Sequence, residues 1–164
     1  MKLLSSLSRL FLAAFIAAAS FAATADTPLV STMAAYLVEI DESGNEVLKS
    51  ADKARPNQII EYRLAYSNNS DQPINGLAIT GPIPDNTIYL ADTAATMVRN
   101  NFKVSIDGGK TWDDEPVLRL RENELGELEQ VVVPASEYTH VRWYAATPLL
   151  ADAQQEYRYR VKIQ

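Results

Sequence analysis

Apolar and polar residues alternate along most of this chain, and a period of two is typical of β-strands that bury one face. The alternation is clearest between Gln58 and Ser67. Four residues of that segment share a face that we expect to point into the core: Ile60, Tyr62, Leu64 and Tyr66. The other face carries Ile59, Glu61, Arg63 and Ala65. The segment therefore predicts a strand that is buried on one side.

This strand belongs to a longer stretch, Ala54–Leu90, around which the rest of the chain is organised. A polar loop at Asn68–Pro73 follows it, because side chains of these types bond to their own backbone. Leu77 and Ile79 mark the next strand. The bend at Gly81–Asn86 then carries two prolines, which lack the donors that a sheet interior needs. A short strand closes the stretch, which we expect to be scaffold rather than site.

The remaining segments repeat this pattern. Further strands are predicted at residues 33–40, 46–49, 87–90, 102–106, 117–120, 131–133, 138–144 and 157–163. Residues 91–101 are predicted to form a loop, and residues 148–155 allow one short helical turn. The region after the N-terminal apolar run sustains no 3.6-residue period, so a parallel α/β fold lacks its crossover helices. About eight to ten short strands in one domain are typical of an antiparallel β-sandwich.

The N-terminal residues have the features of a cleaved signal peptide. Lys2 and Arg9 give a positive start, and an uncharged apolar run follows. The Ala23–Ala25 triplet supplies the small residues that a signal peptidase requires. The apolar run is shorter than the ~20 residues of a membrane-spanning helix, which argues against a retained anchor. We therefore expect residues 1–25 to be a signal peptide and residues 26–164 to be one exported domain, periplasmic or secreted.

Charge and cysteine content exclude several classes of function. Removing Lys2 and Arg9 from the 15 basic residues leaves 13 against 21 acidic residues, a formal charge of −8. A chain with this charge repels nucleic-acid phosphates and anionic lipids, so neither is an expected partner. The chain contains no cysteine. It therefore has no disulfide, thiolate metal site or cysteine nucleophile, and packing must supply its stability.

Three features together resemble the DUF11 repeat, a bacterial cell-surface domain: Arg55–Asn57, the strand motif from Tyr62 to Asn68, and the proline bend. The resemblance covers about Lys49 to Gln164, although Gly81–Pro84 stands where that family more usually has an acidic residue. It implies an immunoglobulin-like β-sandwich that serves as an extracytoplasmic module. It implies no catalytic site.

A second local resemblance is the hairpin sequence SIDGGKTW, which matches the Asp-box pattern of secreted β-proteins. Its pattern residues are Ser105, Asp107, Gly109, Thr111 and Trp112. We expect Asp107 to accept turn amides, Gly109 to adopt a positive φ and Trp112 to pack beneath the turn. Because this chemistry is local, we interpret the five residues as a structural turn motif. One copy does not indicate a propeller, which needs a repeating period.

Catalytic, cofactor and metal sites are not predicted. His140 is the only histidine, and without a nucleophile elbow we expect a surface or half-buried strand position. Zinc is not expected with one histidine and no cysteine. Carboxylates cluster at residues 41–42, 113–115 and 122–129. Asp107 with Asp113 and Asp114 is the best calcium candidate among them, and solvated loop charge is the simpler interpretation.

Two surface features leave the function open. Exposed tyrosine or tryptophan side chains can stack on sugar rings, although most of the eight tyrosines alternate inward. A basic stripe of Arg158, Arg160 and Lys162 on the last strand suits an acidic partner or protects a sheet edge. Our leading hypothesis is a non-catalytic module that mediates protein–protein interaction or surface structure in the cell envelope. The alternative is a carbohydrate-binding module that uses exposed aromatics.

Overall fold

The computed structural model describes residues 27–164. The predicted signal peptide, residues 1–25, lies outside the described residues, as does Asp26. The described chain contains antiparallel sheets and no α-helix. This confirms the all-β class and is consistent with a β-sandwich. No helix in this part of the chain is long and apolar enough to cross a membrane.

Short strands and one 3₁₀ turn, Ala135–Glu137, make up the described chain. The strands are β1 (Leu29–Ile40), β2 (Glu46–Ser50), β3 (Ile59–Asn68), β4 (Ala78–Pro82), β5 (Thr87–Tyr89), β6 (Ala95–Thr96), β7 (Asn100–Ser105), β8 (Leu118–Glu122), β9 (Leu128–Val132), β10 (His140–Ala145) and β11 (Gln154–Ile163). The larger sheet has the order β2-β1-β3-β11-β5, and β6 also pairs with β11. The smaller sheet has the order β4-β10-β7, and β8 pairs with β9 alone.

The inner faces of the two larger sheets meet at Trp143 of β10. The Trp143 ring lies 5.5 Å from the Tyr157 ring and 6.1 Å from the Tyr159 ring, both on β11. The Tyr159 hydroxyl donates a hydrogen bond to the Pro82 carbonyl of β4, which ties the sheets together. Gly81 fits beside this ring because a Cβ there would lie 2.5 Å from Tyr159 Cε1. The proline bend is therefore anchored on the core.

The alternation in β3 is confirmed. Ile60 and Leu64 are both 4% exposed. Tyr62 and Tyr66 are half-buried on the same face. Tyr62 stacks on Tyr159 of the neighbouring strand, with ring centroids 5.2 Å apart. Aromatic pairing of this kind contributes stability beyond the area that it buries.

The other face of β3 holds a buried carboxylate, which the alternation does not predict. Glu61 is 1% exposed. It accepts hydrogen bonds from Arg63 Nε at 2.7 Å and from Arg160 Nε at 2.8 Å. Arg160 also donates two hydrogen bonds to Glu46, at 2.9 and 2.7 Å. Burial opposes the ionisation of Glu61, but the two arginines outweigh it and hold its pKa below the ordinary value.

The basic stripe on β11 does not protect a sheet edge, so that prediction was wrong. β11 lies inside the larger sheet, between β3 and β5. Arg160 is moreover occupied by two carboxylates and is not free to meet a partner. The local sequence does not reveal strand order, which decides whether a strand lies at an edge.

Two segments between strands also differ from the prediction. Residues 91–101, expected to be a loop, contain β6 and the first residues of β7. Residues 148–155 contain no helical turn, and β11 already begins at Gln154. Both segments pair with distant parts of the chain, so many of their backbone hydrogen bonds are made across the fold rather than locally.

Candidate interaction surface

β8 and β9 form a two-stranded hairpin that pairs with neither larger sheet. Its turn is closed by Asn123, whose side-chain oxygen accepts hydrogen bonds from the backbone of Leu125 and Glu127, each at 3.0 Å. Gly126 completes the turn with a φ of 81°, a conformation that favours glycine. A tight turn at residues 123–126 therefore links β8 to β9.

One face of this hairpin is apolar and points into solvent. Leu118 lies opposite Val132, and Leu128 lies opposite Glu122. Opposite residues of an antiparallel pair share a face, as do residues two apart on one strand. The large apolar residues of this face are exposed: Leu118 45%, Leu120 67%, Leu128 71% and Val132 60%. We call these four residues the apolar hairpin face.

The opposite face of the hairpin is tied to the body of the domain by two arginines. Arg119 Nη1 donates to Asp113 Oδ1 at 3.1 Å, and Arg121 donates twice to the Glu137 carboxylate, at 2.9 and 2.5 Å. Two-pronged pairs of this kind fix orientation as well as distance. The hydrogen bond from Arg121 holds the pKa of Glu137 below its ordinary value. These pairs turn the apolar hairpin face outward.

The hairpin also carries uncompensated negative charge. Its glutamates are Glu122, Glu124, Glu127 and Glu129. Within residues 27–164, none of them takes part in a salt bridge, and the two hairpin arginines are already paired. Glu122 shares the face of Leu128. Apolar surface and free carboxylates are thus presented side by side.

A groove of about 610 Å³ lies at the base of the hairpin and meets the apolar hairpin face at Val132. Its apolar walls are formed by Phe102, Pro116, Val133, Pro134, Ala135 and Tyr138. Asp92, Asp114 and Glu115 also line it. Lys103 pairs with Asp114 at 2.7 Å, whereas Asp92 and Glu115 have no salt bridge in the described chain. Burial, and then the charge of Asp92, raise the pKa of Glu115.

The Asp-box residues form a closed hydrogen-bonded turn between β7 and β8. Asp107 accepts hydrogen bonds from Thr111 Oγ1 at 2.6 Å, Thr111 N at 2.9 Å and Lys110 N at 3.0 Å. Ser105 donates to Asp107 at 2.8 Å and accepts from Gly109 N at 2.9 Å. Led by the Thr111 hydroxyl, these bonds hold the pKa of Asp107 well below its usual range. Every strong acceptor of the turn is used internally.

Trp112 continues this turn and packs against side chains of β10. The Arg142 guanidinium lies 3.7 Å from the centroid of the Trp112 ring, and the His140 ring lies 6.4 Å away at its edge. Arg142 Nε donates to Thr80 Oγ1 at 2.8 Å, and His140 Nδ1 lies 3.2 Å from Thr139 Oγ1. His140 thus belongs to the support of a turn. A sugar stacking on this face of Trp112 would have to displace Arg142.

The calcium candidate is not assembled by the fold. Asp107 is saturated by its turn, Asp113 is paired with Arg119, and Asp114 is paired with Lys103. Among residues 27–164 there is no group of three or more histidine or carboxylate side chains placed to hold a metal ion. The arginine and lysine partners supply the positive charge that a cation would bring.

The sequence pattern does not predict the apolar hairpin face. The runs LRLRE and LEQVV alternate like any half-buried strand, so the leucines would ordinarily be assigned to the core. A signal was nevertheless available. The intervening residues include Arg119 and Arg121, while the turn between the runs is rich in glutamate. In such a hairpin, the tip and one face of the strands both carry charged residues.

Comparison of the chain with protein-family models, with curated proteins and with solved structures finds no match. The likenesses to the DUF11 repeat and to the Asp-box therefore remain predictions. Any functional assignment has to come from the physical character of the surface, of which the exposed apolar hairpin with its acidic flank is the most unusual part.

Proposed function

We propose that this chain is an exported, non-catalytic module of immunoglobulin-like type that binds another protein through the β8–β9 hairpin. The observation that carries the proposal is the outward apolar hairpin face. Single exposed leucines are common on protein surfaces, but four of the six residues on this face of the hairpin are large and apolar, the other two being Glu122 and Gln130. Protein interfaces are built around such patches, which are rimmed by polar groups.

Burial of the apolar hairpin face supplies only part of the free energy that association requires. Full burial of a leucine or valine side chain is worth about 1.5–3 kcal/mol. At the exposures of 45–71%, the four residues offer on the order of 4–6 kcal/mol. Association itself costs about 4–15 kcal/mol in lost motion and ordering. The partner must therefore add polar contacts around the apolar centre, for which the free carboxylates are available.

The export and the immunoglobulin-like type rest on other features. The charged start, apolar run and small-residue triplet before residue 26 support a signal peptide. The two antiparallel sheets with a shared aromatic core support an immunoglobulin-like sandwich, as does the resemblance of residues 49–164 to the DUF11 repeat.

A pair of matched variants tests the proposal. L120S/L128S removes half of the apolar hairpin face, whereas M97S removes an apolar residue that is more exposed, 102% accessible, and lies outside the hairpin. The tagged chain and both variants would be crosslinked in the native cell envelope and recovered proteins compared. We expect a partner recovered by the wild type and by M97S to be lost with L120S/L128S. Equal recovery by all three chains would refute the assignment of this face.

A further inference from the structure

We propose that the partner offers an extended segment in which apolar residues alternate with lysine or arginine, laid along the apolar hairpin face. This inference rests on the proposed function, since it specifies the chemistry of the protein that the hairpin binds. Three independent features lead to it: the charge of the hairpin, the acidic groove at its base and the dimensions of the face.

The first feature is charge complementarity. Glu122 lies on the apolar hairpin face itself, and Glu124 and Glu127 lie at the tip. In the described chain no cation pairs with any of them. A partner that buried the leucines would bring its own side chains against these carboxylates. Acidic side chains would be repelled there and basic ones attracted, which selects the sign of the partner's charge.

The same reasoning disfavours a second copy of this chain as the occupant. Two copies joined through their hairpins would bring two sets of unpaired glutamates towards one apolar centre. Neither copy has a free hairpin arginine to offset them, because Arg119 and Arg121 already bind Asp113 and Glu137. Like charges placed together at an interface cost stability.

The second feature is the groove that continues the face beyond Val132. Asp92 and Glu115 stand in it among apolar residues, and the raised pKa of Glu115 reflects burial and the nearby Asp92. A lysine or arginine of the partner that entered this groove would place a cation beside two carboxylates that form no salt bridge in the described chain. The long apolar stem of such a side chain would pack on Val132 and the prolines while its charged end met the carboxylates.

The third feature is the shape of the face. A five-residue strand is about 17 Å long, and two paired strands lie about 4.8 Å apart. An α-helix with its side chains is about 10–12 Å wide and would overhang this narrow strip. An extended segment matches it.

Three synthetic ten-residue peptides provide the test: alternating Val–Lys, alternating Val–Glu and alternating Ser–Lys. Binding of each fluorescent peptide would be followed by anisotropy at low and high salt. We expect the Val–Lys peptide to bind, the Ser–Lys peptide to bind at least tenfold more weakly and the Val–Glu peptide not to bind. Binding that is equal for the Val–Lys and Val–Glu peptides would overturn the inference.

Charge-matched variants place the binding on the hairpin. E122Q/E124Q/E127Q removes three hairpin charges, and E42Q/D52N/D71N removes three exposed charges elsewhere that make no salt bridge in the described chain. Each exposed pair contributes modestly, so we expect about a tenfold loss of Val–Lys affinity in the first variant and little change in the second. Equal losses of affinity in both variants would show that the peptide responds only to net charge, and would overturn the inference.

The two proposals fail in different ways. If L120S/L128S abolishes recovery of the envelope partner but the Val–Lys peptide neither binds nor competes, the hairpin is a binding face and the basic segment is wrong. If the Val–Lys peptide binds the wild type and L120S/L128S equally well, the apolar hairpin face is not its site and the inference is also overturned. Circular dichroism of every variant verifies that the sheet content is unchanged.

Discussion

Replacing Glu61 with glutamine tests how much the buried carboxylate contributes to the larger sheet. Glu61 lies on β3, its partner Arg160 lies on β11, and Arg160 in turn binds Glu46 on β2. The carboxylate is 1% exposed and serves one arginine with each oxygen. Glutamine has nearly the same volume but no charge, and it offers a single acceptor oxygen to two guanidinium donors. One arginine therefore loses its buried partner.

The magnitude follows from the hydrogen bonds. A hydrogen bond to a charged group is worth about 1.5–3 kcal/mol, and removing one member of a buried ion pair costs about 3–5 kcal/mol. The Arg63 side chain is 43% exposed and the Arg160 side chain is 21% exposed, so hydrogen bonds to water offset part of that loss. We expect E61Q to lower the free energy of unfolding by about 2–3 kcal/mol. For a domain of this size the Tm should fall by about 6–10 °C.

The pH dependence of the stability tests the role of Glu61 independently. The pKa of Glu61 in the folded chain is below the unperturbed 4.5. Its stabilisation is therefore fully present above about pH 4.5 and is lost as the pH falls through the folded pKa. The difference in stability between wild type and E61Q should be constant near neutral pH and should shrink in acid.

Thermal unfolding followed by circular dichroism, at about pH 7 and about pH 3, measures both quantities. E42Q is the matched control, because Glu42 is an exposed glutamate in the turn between β1 and β2. Its Tm should stay within about 2 °C of the wild type, as is usual for surface substitutions. An E61Q chain as stable as E42Q at neutral pH would show that the arginines find water or other acceptors, and the reasoning would fail.

Three further outcomes can be measured by the same unfolding experiments. G81A should lose about 2–3 kcal/mol, because its new Cβ would lie 2.5 Å from the buried Tyr159 ring. L120S/L128S should change stability by no more than about 0.5 kcal/mol, as expected for exposed positions; a larger loss would place these leucines in the core. Burial raises the pKa of Tyr157 from 10.0 to about 12. Its contribution is therefore present below pH 10 and lost as the pH rises towards 12, so Y157F should unfold less readily in alkali.

The predictable part of the fold is the part that local chemistry determines. The inward face of β3 follows from a period of two, and Ile60 and Leu64 lie where that period puts them. The turn at Asn123 follows from a side chain that bonds to backbone only two and four residues away. Neither feature depends on any distant strand.

The remainder depends on contacts between residues far apart in sequence. The burial of Glu61 requires Arg160, which is 99 positions away. The basic residues of β11 suggest an edge strand, but the strand order places β11 between two neighbours. The hairpin leucines alternate as core residues do, but they are exposed on the face opposite Arg119 and Arg121, which pair with Asp113 and Glu137. No local period encodes which acid each arginine meets.

The orientation of the β8–β9 hairpin links these contacts to the proposed function. Salt bridges on a protein surface contribute little stability, because water screens them. The apolar hairpin face leaves on the order of 4–6 kcal/mol of burial energy unused. Burying these leucines against the domain would stabilise the isolated chain by more than the two ion pairs do. The stability of the isolated domain therefore does not account for the observed orientation, whereas the proposed partner would, because it would cover the apolar hairpin face.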